Sequence, residues 1–278
     1  MNYIVLNFEC DPAFSDMLIA ELSQVDFDTF LETDTGFQAS IGADAYDEQA
    51  VGEIVERYKD IVTPLSYVAE EVEKKNWNEE WEKHYDPIVV GDKCIVRASF
   101  HEPVPEYPYE IVINPKMSFG TGHHETTHLM LKAQLGIDFK GKSVLDLGCG
   151  TGILAIMAHK LGAASIDACD IEEWAVSNSI ENFMLNGCPE INCYEGTVEA
   201  IPGRQPRDII LANINRNVLL EEIPTYSTLL KADGYLLLSG FYEKDIPDIE
   251  KIAVNQGLKK LRYETKKDWV VVVFEKVT

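Results

Sequence analysis

The residues best suited to chemistry form a glycine-rich turn between a hydrophobic strand and a helix. The turn reads Asp146-x-Gly148-x-Gly150-x-Gly152, and these four residues are candidate ligand contacts. Glycine allows a tight turn and close approach of a ligand to the backbone, and the helix N-terminus offers free N–H groups. A dinucleotide-binding turn would need glycine where this chain has Ile153. The spacing therefore favours a ligand with an uncharged adenosyl edge and an amino-acid tail.

An acidic residue, Asp170, ends the next predicted strand, 22 residues after Gly148. A carboxylate at that place can accept hydrogen bonds from both ribose hydroxyls of an adenosine group. The glycine turn and the strand-end aspartate together are typical of class I methyltransferases, which use S-adenosylmethionine. The alternative is a chance glycine turn followed by an aspartate that only caps a helix.

A second glycine-rich loop precedes the first strand of the predicted sheet. This loop runs from Phe119 to Thr127 and could close over a ligand held at the Asp146 turn, with Phe119, Gly120 and Thr121 as further candidate contacts. Thr127 stands where a helix begins, so it could either cap that helix or contact the ligand.

The run His124-Glu125-Thr126-Thr127-His128 matches the H-E-x-x-H pattern of zinc peptidases. Zinc binding by that pattern requires both histidines on one face of a helix and a third ligand elsewhere. Here the run lies at the start of a predicted helix, and no third ligand stands at a suitable spacing. We therefore expect no metal site.

Asn213 ends the fourth strand of the predicted sheet and is the candidate for orienting a methyl acceptor. Its amide oxygen could accept a hydrogen bond from a neutral amine and direct the amine lone pair at the methyl group. A lysine amine has an ordinary pKa of ~10.4, so it would need a desolvating site or a base. The alternative is that Asn213 only forms a turn. Ser239-Gly240-Phe241, at the end of the fifth strand, could border the same site.

Alternating strands and helices predict an open, Rossmann-like α/β sheet of seven strands that would position these residues. Strands are predicted at 143–146, 165–170, 191–194, 208–213, 235–239, 258–264 and 269–274, and helices at 125–135, 152–161, 172–186, 217–230 and 245–256. Only residues 265–268 separate the last two strands, which is too few for a crossover. We therefore expect an antiparallel hairpin at the edge of the sheet.

Residues 1–72 predict a small α+β domain with the ferredoxin-like order βαββαβ. Its predicted elements are strands at 3–8, 27–33, 37–41 and 66–72 and helices at 13–23 and 47–58. Residues 73–86 predict a linker helix with Trp77, Trp81 and Tyr85 along one face. Residues 87–278 would form the catalytic domain, with further strands at 94–99 and 109–113.

The chain of 278 residues has a formal net charge of −23. Residues 1–86 carry 21 acidic and 5 basic side chains, so most of the excess lies outside the predicted catalytic domain. A surface this acidic repels phosphate backbones, and we expect no direct nucleic-acid partner. The acidic residues of this N-terminal part could form a solvated face or a docking surface for a partner.

The N-terminus has neither a basic segment nor a long apolar segment, so it does not predict a signal peptide. The longest apolar run, Trp269–Phe274, is far shorter than the roughly 20 residues of a membrane-spanning helix. The six cysteines are scattered and do not suggest a disulfide framework. These features predict a cytoplasmic protein with no membrane partner.

Five segments resemble the family of bacterial methyltransferases that modify large-subunit ribosomal protein eleven. The segments are Trp77-Asn78-Glu79-Glu80-Trp81, Phe119–Thr127, Asp146–Ile156, Ala212-Asn213-Ile214 and Asp268-Trp269-Val270. The Phe119–Thr127 loop is the specific one, because the glycine turn by itself indicates only a methyltransferase. Lys116-Met117-Ser118 and Asn215 depart from the family pattern, and both concern the methyl acceptor more than the cofactor.

The resemblance implies an N-terminal domain that grips the ribosomal protein and a catalytic domain that trimethylates lysine side chains and the N-terminal amine. It implies S-adenosylmethionine as cofactor, with contacts at Thr127, Gly148, Asp170 and Asn213. Ribosomal proteins are typically basic, so an acidic domain would attract the free protein before ribosome assembly. Two alternatives stay open: the same fold with another protein or a small molecule as acceptor, and a non-catalytic module that holds a basic protein.

Overall fold

The computed structural model describes residues 2–72, 86–114 and 124–277. The chain divides into two compact units, residues 1–82 and 83–278. The predicted linker helix, with Trp77, Trp81 and Tyr85, falls on residues 73–85 outside the described ranges. The domain boundaries after residues 72 and 86 therefore stay predictions.

The N-terminal unit has the predicted ferredoxin-like order. Its elements are β1 (Tyr3–Cys10), α1 (Ser15–Leu22), β2 (Thr29–Thr33), β3 (Gly36–Gly42), α2 (Glu48–Tyr58) and β4 (Leu65–Val72). The strands form an antiparallel sheet in the order β2-β3-β1-β4. Alternate residues of β1 and β3 point into the core, as the strand period of two requires. Phe8 and Phe37, for example, are paired across the two strands and their rings stack at 4.9 Å.

A three-stranded sheet begins the C-terminal unit. It consists of β5 (Ile88–Val90), β6 (Cys94–Ala98) and β7 (Tyr109–Ile113). β5 and β6 are antiparallel, whereas β6 and β7 are parallel. The predicted strands at 94–99 and 109–113 correspond to β6 and β7.

A seven-stranded sheet forms the centre of the C-terminal unit, in the order β10-β9-β8-β11-β12-β14-β13. The remaining elements are α3 (Glu125–Gln134), β8 (Ser143–Leu147), α4 (Ile153–Lys160), β9 (Ser165–Asp170), α5 (Glu173–Leu185), β10 (Asn192–Glu195), β11 (Arg207–Asn213), α6 (Arg216–Thr228), β12 (Leu230–Tyr242), α7 (Ile246–Asn255), β13 (Leu258–Lys266) and β14 (Trp269–Lys276). β14 is antiparallel to both neighbours, and the other pairs are parallel. The α/β class and the closing hairpin are confirmed.

Residues in left-handed conformation explain two differences from the predicted strands. Lys267 and Asp268, with φ of 48° and 67°, make a two-residue turn, so the final hairpin is tighter than predicted. β12 is longer than the predicted 235–239 because Asp233, with φ of 60°, accommodates a shift in the pairing with β11. Neither change alters the sheet order.

Hydrophobic side chains cover both faces of the seven-stranded sheet. Ile209, Ile210, Leu211 and Ala212 are consecutive in β11 and all 0% exposed. Such a strand is buried from both sides, which is expected in a parallel sheet flanked by helices. Within the described ranges, no helix has the length and apolar character needed to cross a membrane.

Candidate active site

A cavity of about 360 Å³ lies at the carboxyl edge of the sheet, where β8, β9, β10 and β11 end. Its wall contains five of the residues singled out from the sequence, namely Thr127, Gly148, Gly150, Asp170 and Asn213. The carboxyl ends of parallel strands are where open α/β sheets bind ligands. The fold therefore brings these five residues to one place, although they are spread over four segments of the chain.

The glycine turn after β8 has no room for larger residues. Gly148, Gly150 and Gly152 all have positive φ, at 67°, 59° and 75°. A Cβ atom on Gly148 would lie 2.4 Å from Cγ2 of Ile214. The Gly148 N–H donates to the Cys169 carbonyl oxygen at 2.9 Å, which holds the turn against the end of β9. Gly148, Cys149 and Gly150 of this turn line the cavity.

Asp170, at the end of β9, fixes the same turn from the other side. Its Oδ2 accepts a hydrogen bond from the Gly150 N–H at 2.9 Å, and its Oδ1 accepts one from the Glu172 N–H at 3.1 Å. The side chain is only partly buried and lines the cavity. The carboxylate therefore retains acceptor capacity for ribose hydroxyls, since each oxygen has more than one lone pair.

Asp146 and Gly152 do not line the cavity. Asp146 is 0% exposed, and its Oδ2 accepts a hydrogen bond from the Ala155 N–H of α4 at 3.1 Å. Burial raises the pKa of Asp146 to about 7; the Ala155 bond acts to lower it, and the charge of Asp170 adds to the rise. Asp146 supports the turn from within the protein. Direct cofactor contact by Asp146 or Gly152 stays a prediction.

Thr127 and Asn213 are neighbours in the cavity wall. The Nδ2 of Asn213 donates to Oγ1 of Thr127 at 3.5 Å, so the amide and the hydroxyl are neighbours although the residues are 86 positions apart. Oδ1 of Asn213 is buried and has no hydrogen-bond partner among the described residues. A buried amide oxygen without a partner costs free energy, which a bound donor would recover.

His124 is the N-cap residue of α3 and directly precedes Glu125, the first residue of the helix. Its Nδ1 accepts a hydrogen bond from the Thr126 N–H at 3.3 Å, and its ring packs edge-on against Trp269. Glu125 pairs with Lys267 at 2.8 Å. The H-E-x-x-H run thus starts a helix, as the sequence indicates. In the part of the chain that the structure describes, no three His, Cys, Asp or Glu side chains cluster as metal ligands would. The predicted contacts Phe119, Gly120 and Thr121 lie outside that part.

Other residues complete the cavity wall and were not singled out from the sequence. They include Ile171, Trp174, Thr197, Val198, Glu222 and Tyr226. Thr197 and Val198 lie just beyond β10, after Gly196, so the rule that ligands bind beyond the ends of parallel strands could have found them. Glu222 and Tyr226 belong to α6, and only the packing of that helix brings them to the site.

Comparison with known proteins identifies the family. A profile of the family described as ribosomal protein L11 methyltransferase matches residues 13–277. A relative of that name from Phocaeicola vulgatus is 42% identical over 278 residues, covering 99% of each chain. Another, from Porphyromonas gingivalis, is 41% identical and covers 93% of this chain and 90% of its own. The chain belongs to the ribosomal protein L11 methyltransferase family.

Solved structures agree with this membership. The ribosomal protein L11 methylase from Lactobacillus delbrueckii subsp. bulgaricus superimposes with a TM-score of 0.64 and 29% identity, covering 70% of this chain and 100% of that chain. A methyltransferase from Pyrococcus furiosus, at 15% identity and a TM-score of 0.50, shares the fold. The class I methyltransferase fold and the family resemblance are confirmed.

S-adenosylmethionine is the methyl donor of an L11 methyltransferase, and the residues of the cavity fit it. The volume lies within the ~300–1,000 Å³ range of small-molecule sites. Asp170 offers a carboxylate for ribose hydroxyls, and the Gly148 turn exposes backbone that a Cβ would cover. Asn213 adds an unpaired amide oxygen in the same wall.

Proposed function

We propose that this L11 methyltransferase family member transfers methyl groups from S-adenosylmethionine to lysine side chains, and to the N-terminal amine, of ribosomal protein L11. The observation that carries the proposal is the match over 99% of the chain to relatives that bear this substrate in their names. The lysine and N-terminal specificity rests on the resemblance of the Phe119–Thr127 loop to the family. The cofactor contacts of the proposal are Thr127, Gly148, Asp170 and Asn213.

Bound S-adenosylmethionine supplies a methyl group on a positively charged sulfur, which is an activated donor. The protein then has to contribute position more than activation. In our proposal, Oδ1 of Asn213 accepts a hydrogen bond from the neutral acceptor amine and directs the amine lone pair at the methyl carbon. The contact between Asn213 and Thr127 supports this role, because it holds the amide nitrogen and leaves the oxygen unpaired.

The acceptor lysine must be neutral to attack, although its ordinary pKa is ~10.4. The cavity wall includes the apolar side chains of Leu147, Ile214 and Val218. Transfer of an ammonium group from water to such surroundings disfavours its charged form and lowers its pKa. In each transfer the acceptor nitrogen, after losing one proton to solvent, would form one N–C bond while the bond between the methyl carbon and the donor sulfur breaks, and neutral S-adenosylhomocysteine would leave.

We further propose that the N-terminal unit binds the ribosomal protein. Residues 1–72 carry 16 acidic and 2 basic side chains, which favours a basic partner. The acidity favours free L11 over L11 in an assembled ribosome, because ribosomal RNA would repel this surface. Newly synthesised ribosomal proteins are present in the cytoplasm, so the proposal includes a cytoplasmic location for this chain. It includes no nucleic-acid or membrane partner.

The proposal is tested by incubating the purified chain with labelled S-adenosylmethionine and either free L11 or intact large ribosomal subunits. We expect label in free L11 and little in subunits, with mass spectrometry locating trimethylated lysines and a modified N-terminus. Asn213→Ala should lower kcat at least about tenfold, because the loss of a positioning hydrogen bond raises the barrier. Asn217→Ala, at an exposed position of α6, is the matched control.

Three other outcomes would redirect the assignment. If the chain binds S-adenosylhomocysteine but leaves L11 unlabelled, L11 is not its substrate. Label in a different protein or a small molecule would indicate the same fold with another acceptor. Binding of L11 without any methyl transfer would indicate a non-catalytic module.

A further inference from the structure

Two thiols lie side by side at the cofactor turn. The Sγ atoms of Cys149 and Cys193 are 3.8 Å apart, and both cysteines are unbonded. Cys149 stands between Gly148 and Gly150 in the turn itself and lines the cavity. Cys193 lies in β10, the edge strand of the sheet, and does not line the cavity. The family assignment gives neither thiol a role.

The two thiols differ in access. Cys193 is partly exposed, whereas Cys149 is 5% exposed and also contacts Oγ of Ser179 at 3.4 Å. Two causes raise the pKa of the Cys149 thiol: the contact with Cys193, which has the larger effect, and burial. A reagent from solvent therefore meets Cys193 first, and Cys149 is placed to react second.

We propose that Cys149 and Cys193 form a modification site for small disulfides of the oxidised-glutathione type, and that their cross-link weakens cofactor binding. The inference rests on the cofactor site described above. In this proposal, oxidation of the thiols at the Gly148–Gly150 turn lowers the affinity of the methyltransferase for its cofactor.

The reaction proceeds by two thiol–disulfide exchanges. The Cys193 thiolate attacks the small disulfide, so a mixed disulfide forms and one small thiolate leaves. The Cys149 sulfur then attacks the Cys193 sulfur and its proton passes to the departing small thiolate, which forms the Cys149–Cys193 bond and releases the second small thiol. The protein loses two electrons and two protons, and the small disulfide becomes two thiols.

The cross-link would strain the turn. A disulfide requires an S–S distance of about 2.05 Å, so sulfurs now at 3.8 Å must approach considerably. The pairing of β10 with β9 holds the backbone of Cys193, so in the proposal the turn takes up the part of the approach that side-chain rotation does not. The turn itself is tied by hydrogen bonds from Cys149 N–H to the Cys169 carbonyl at 3.0 Å and from Gly150 N–H to Asp170 at 2.9 Å. Displacement of Cys149 therefore disturbs two predicted cofactor contacts at once, Gly148 and Asp170.

The test is S-adenosylhomocysteine affinity of the full chain, measured by calorimetry before and after treatment with oxidised glutathione. We expect the reduced chain to bind, the oxidised chain to bind at least about tenfold more weakly, and dithiothreitol to restore the affinity. Peptide mapping without reduction should show the Cys149–Cys193 link. Cys193→Ser, or Cys193→Ala as a second variant, should bind S-adenosylhomocysteine as tightly as the reduced wild type does. Treatment with oxidised glutathione should leave the affinity of these variants unchanged. Cys188→Ser, at a buried cysteine outside the cavity, should respond like the wild type.

Several results would overturn the inference. One is an oxidised chain with the mapped cross-link and unchanged affinity; another is a Cys193 variant that still loses affinity. A link from Cys193 to Cys169 in place of Cys149 would also contradict it. If the reduced wild type does not bind S-adenosylhomocysteine, the cofactor site itself is wrong, which is a separate failure that removes this inference as well.

Discussion

Two aspartates beside the glycine turn differ because water reaches only one of them. Asp146 is 0% exposed and has a pKa of about 7, whereas Asp170 is partly exposed and lines the cavity. Burial disfavours the charged form of the Asp146 carboxyl group, whereas the partly exposed carboxyl group of Asp170 can be reached by a ligand in the cavity. Asp146 is therefore suited to support the turn, and Asp170 to contact the ligand.

Replacing Asp170 with alanine is expected to reduce S-adenosylhomocysteine affinity about 10- to 100-fold. Hydrogen bonds to a charged group contribute ~1.5–3 kcal/mol, and ~1.4 kcal/mol is a tenfold change in affinity. Calorimetry measures the affinity, and circular dichroism checks that the fold persists. Glu173→Ala, an exposed carboxylate in the first turn of α5, should bind normally. Unchanged affinity in Asp170→Ala would refute the assignment of this residue.

Asp146 should make stability depend on pH. Its pKa is about 7 in the folded protein against an ordinary value of 3.8. Between these values the folded state keeps a proton that the unfolded state releases, so stability falls as pH rises from about 4 to about 7 and is then constant. The fall is at most ~1.4 kcal/mol per pH unit. Asp146→Asn imitates the protonated form and should lack this fall.

Urea unfolding at pH 5.5, 6.5 and 8 would measure the effect. The free energy of unfolding of the wild type, relative to Asp146→Asn, should be lower at pH 8 than at pH 5.5. Asp233→Asn, at an exposed left-handed position of β12, controls for the loss of a carboxylate in general. Parallel pH profiles of the wild type and Asp146→Asn would show that the burial of Asp146 has no such consequence.

At the scale of elements, the glycine turn is defined by its neighbours as well as by its own conformation. Gly148 has φ of 67° and faces Ile214, which follows β11. Gly187, after α5, has nearly the same φ of 68° but no atom within 4 Å of where a Cβ would lie. Substitutions at these two glycines can therefore be compared to distinguish the free-energy cost of a left-handed backbone from that of close packing against Ile214.

Gly187→Ala is expected to lower the free energy of unfolding by about 1 kcal/mol, the usual penalty for alanine in left-handed conformation. Gly148→Ala should lower it further and weaken S-adenosylhomocysteine binding at least about tenfold, because Ile214 or the turn must move. Urea unfolding and calorimetry measure the two effects. Equal stability loss in both variants, with normal binding, would show that the contact with Ile214 is unimportant.

At the scale of the whole molecule, the negative charge is unevenly divided. Residues 1–72 have a net charge of −14, out of −23 for the chain. Long-range attraction of this kind raises association rates more than it raises affinity, and salt screens it. If the N-terminal unit attracts L11, the rate of association should depend on salt and on the charge of that unit in particular.

We expect association of L11 with the chain to slow at least about tenfold between roughly 50 and 500 mM salt. Stopped-flow measurements would compare the wild type with a triple variant, Glu32→Lys, Asp34→Lys and Glu70→Lys. The matched control places the same charge change in the C-terminal unit, at Glu173, Glu199 and Glu243, all of which are exposed. An association rate that ignores salt, or equal slowing in both triple variants, would contradict attraction by the N-terminal unit.

Most of the fold could be predicted from the sequence because its signals are local. The strand-to-helix transition at Gly148, the aspartate that ends β9 and the short connection before Trp269 each depend on a few neighbouring residues. These signals predict parallel strands, a glycine turn and an edge hairpin, and all three are present, whereas the ligand contacts of the turn stay a prediction. The ends of β12 were less predictable, because its pairing shift depends on β11.

Which of the candidate residues contact one another depends on the packing of distant segments. This packing places Thr127 beside Asn213, removes Asp146 from the cavity wall, and brings Cys149 to Cys193 from two strands away. These relations depend on how helices and strands pack across long stretches of chain, which local patterns do not encode. Local patterns in the sequence were therefore sufficient to predict the kind of fold, the class of cofactor and the residues that could contact the cofactor. Packing determined which of them line one cavity, how deeply each is buried, and hence the chemistry available to each.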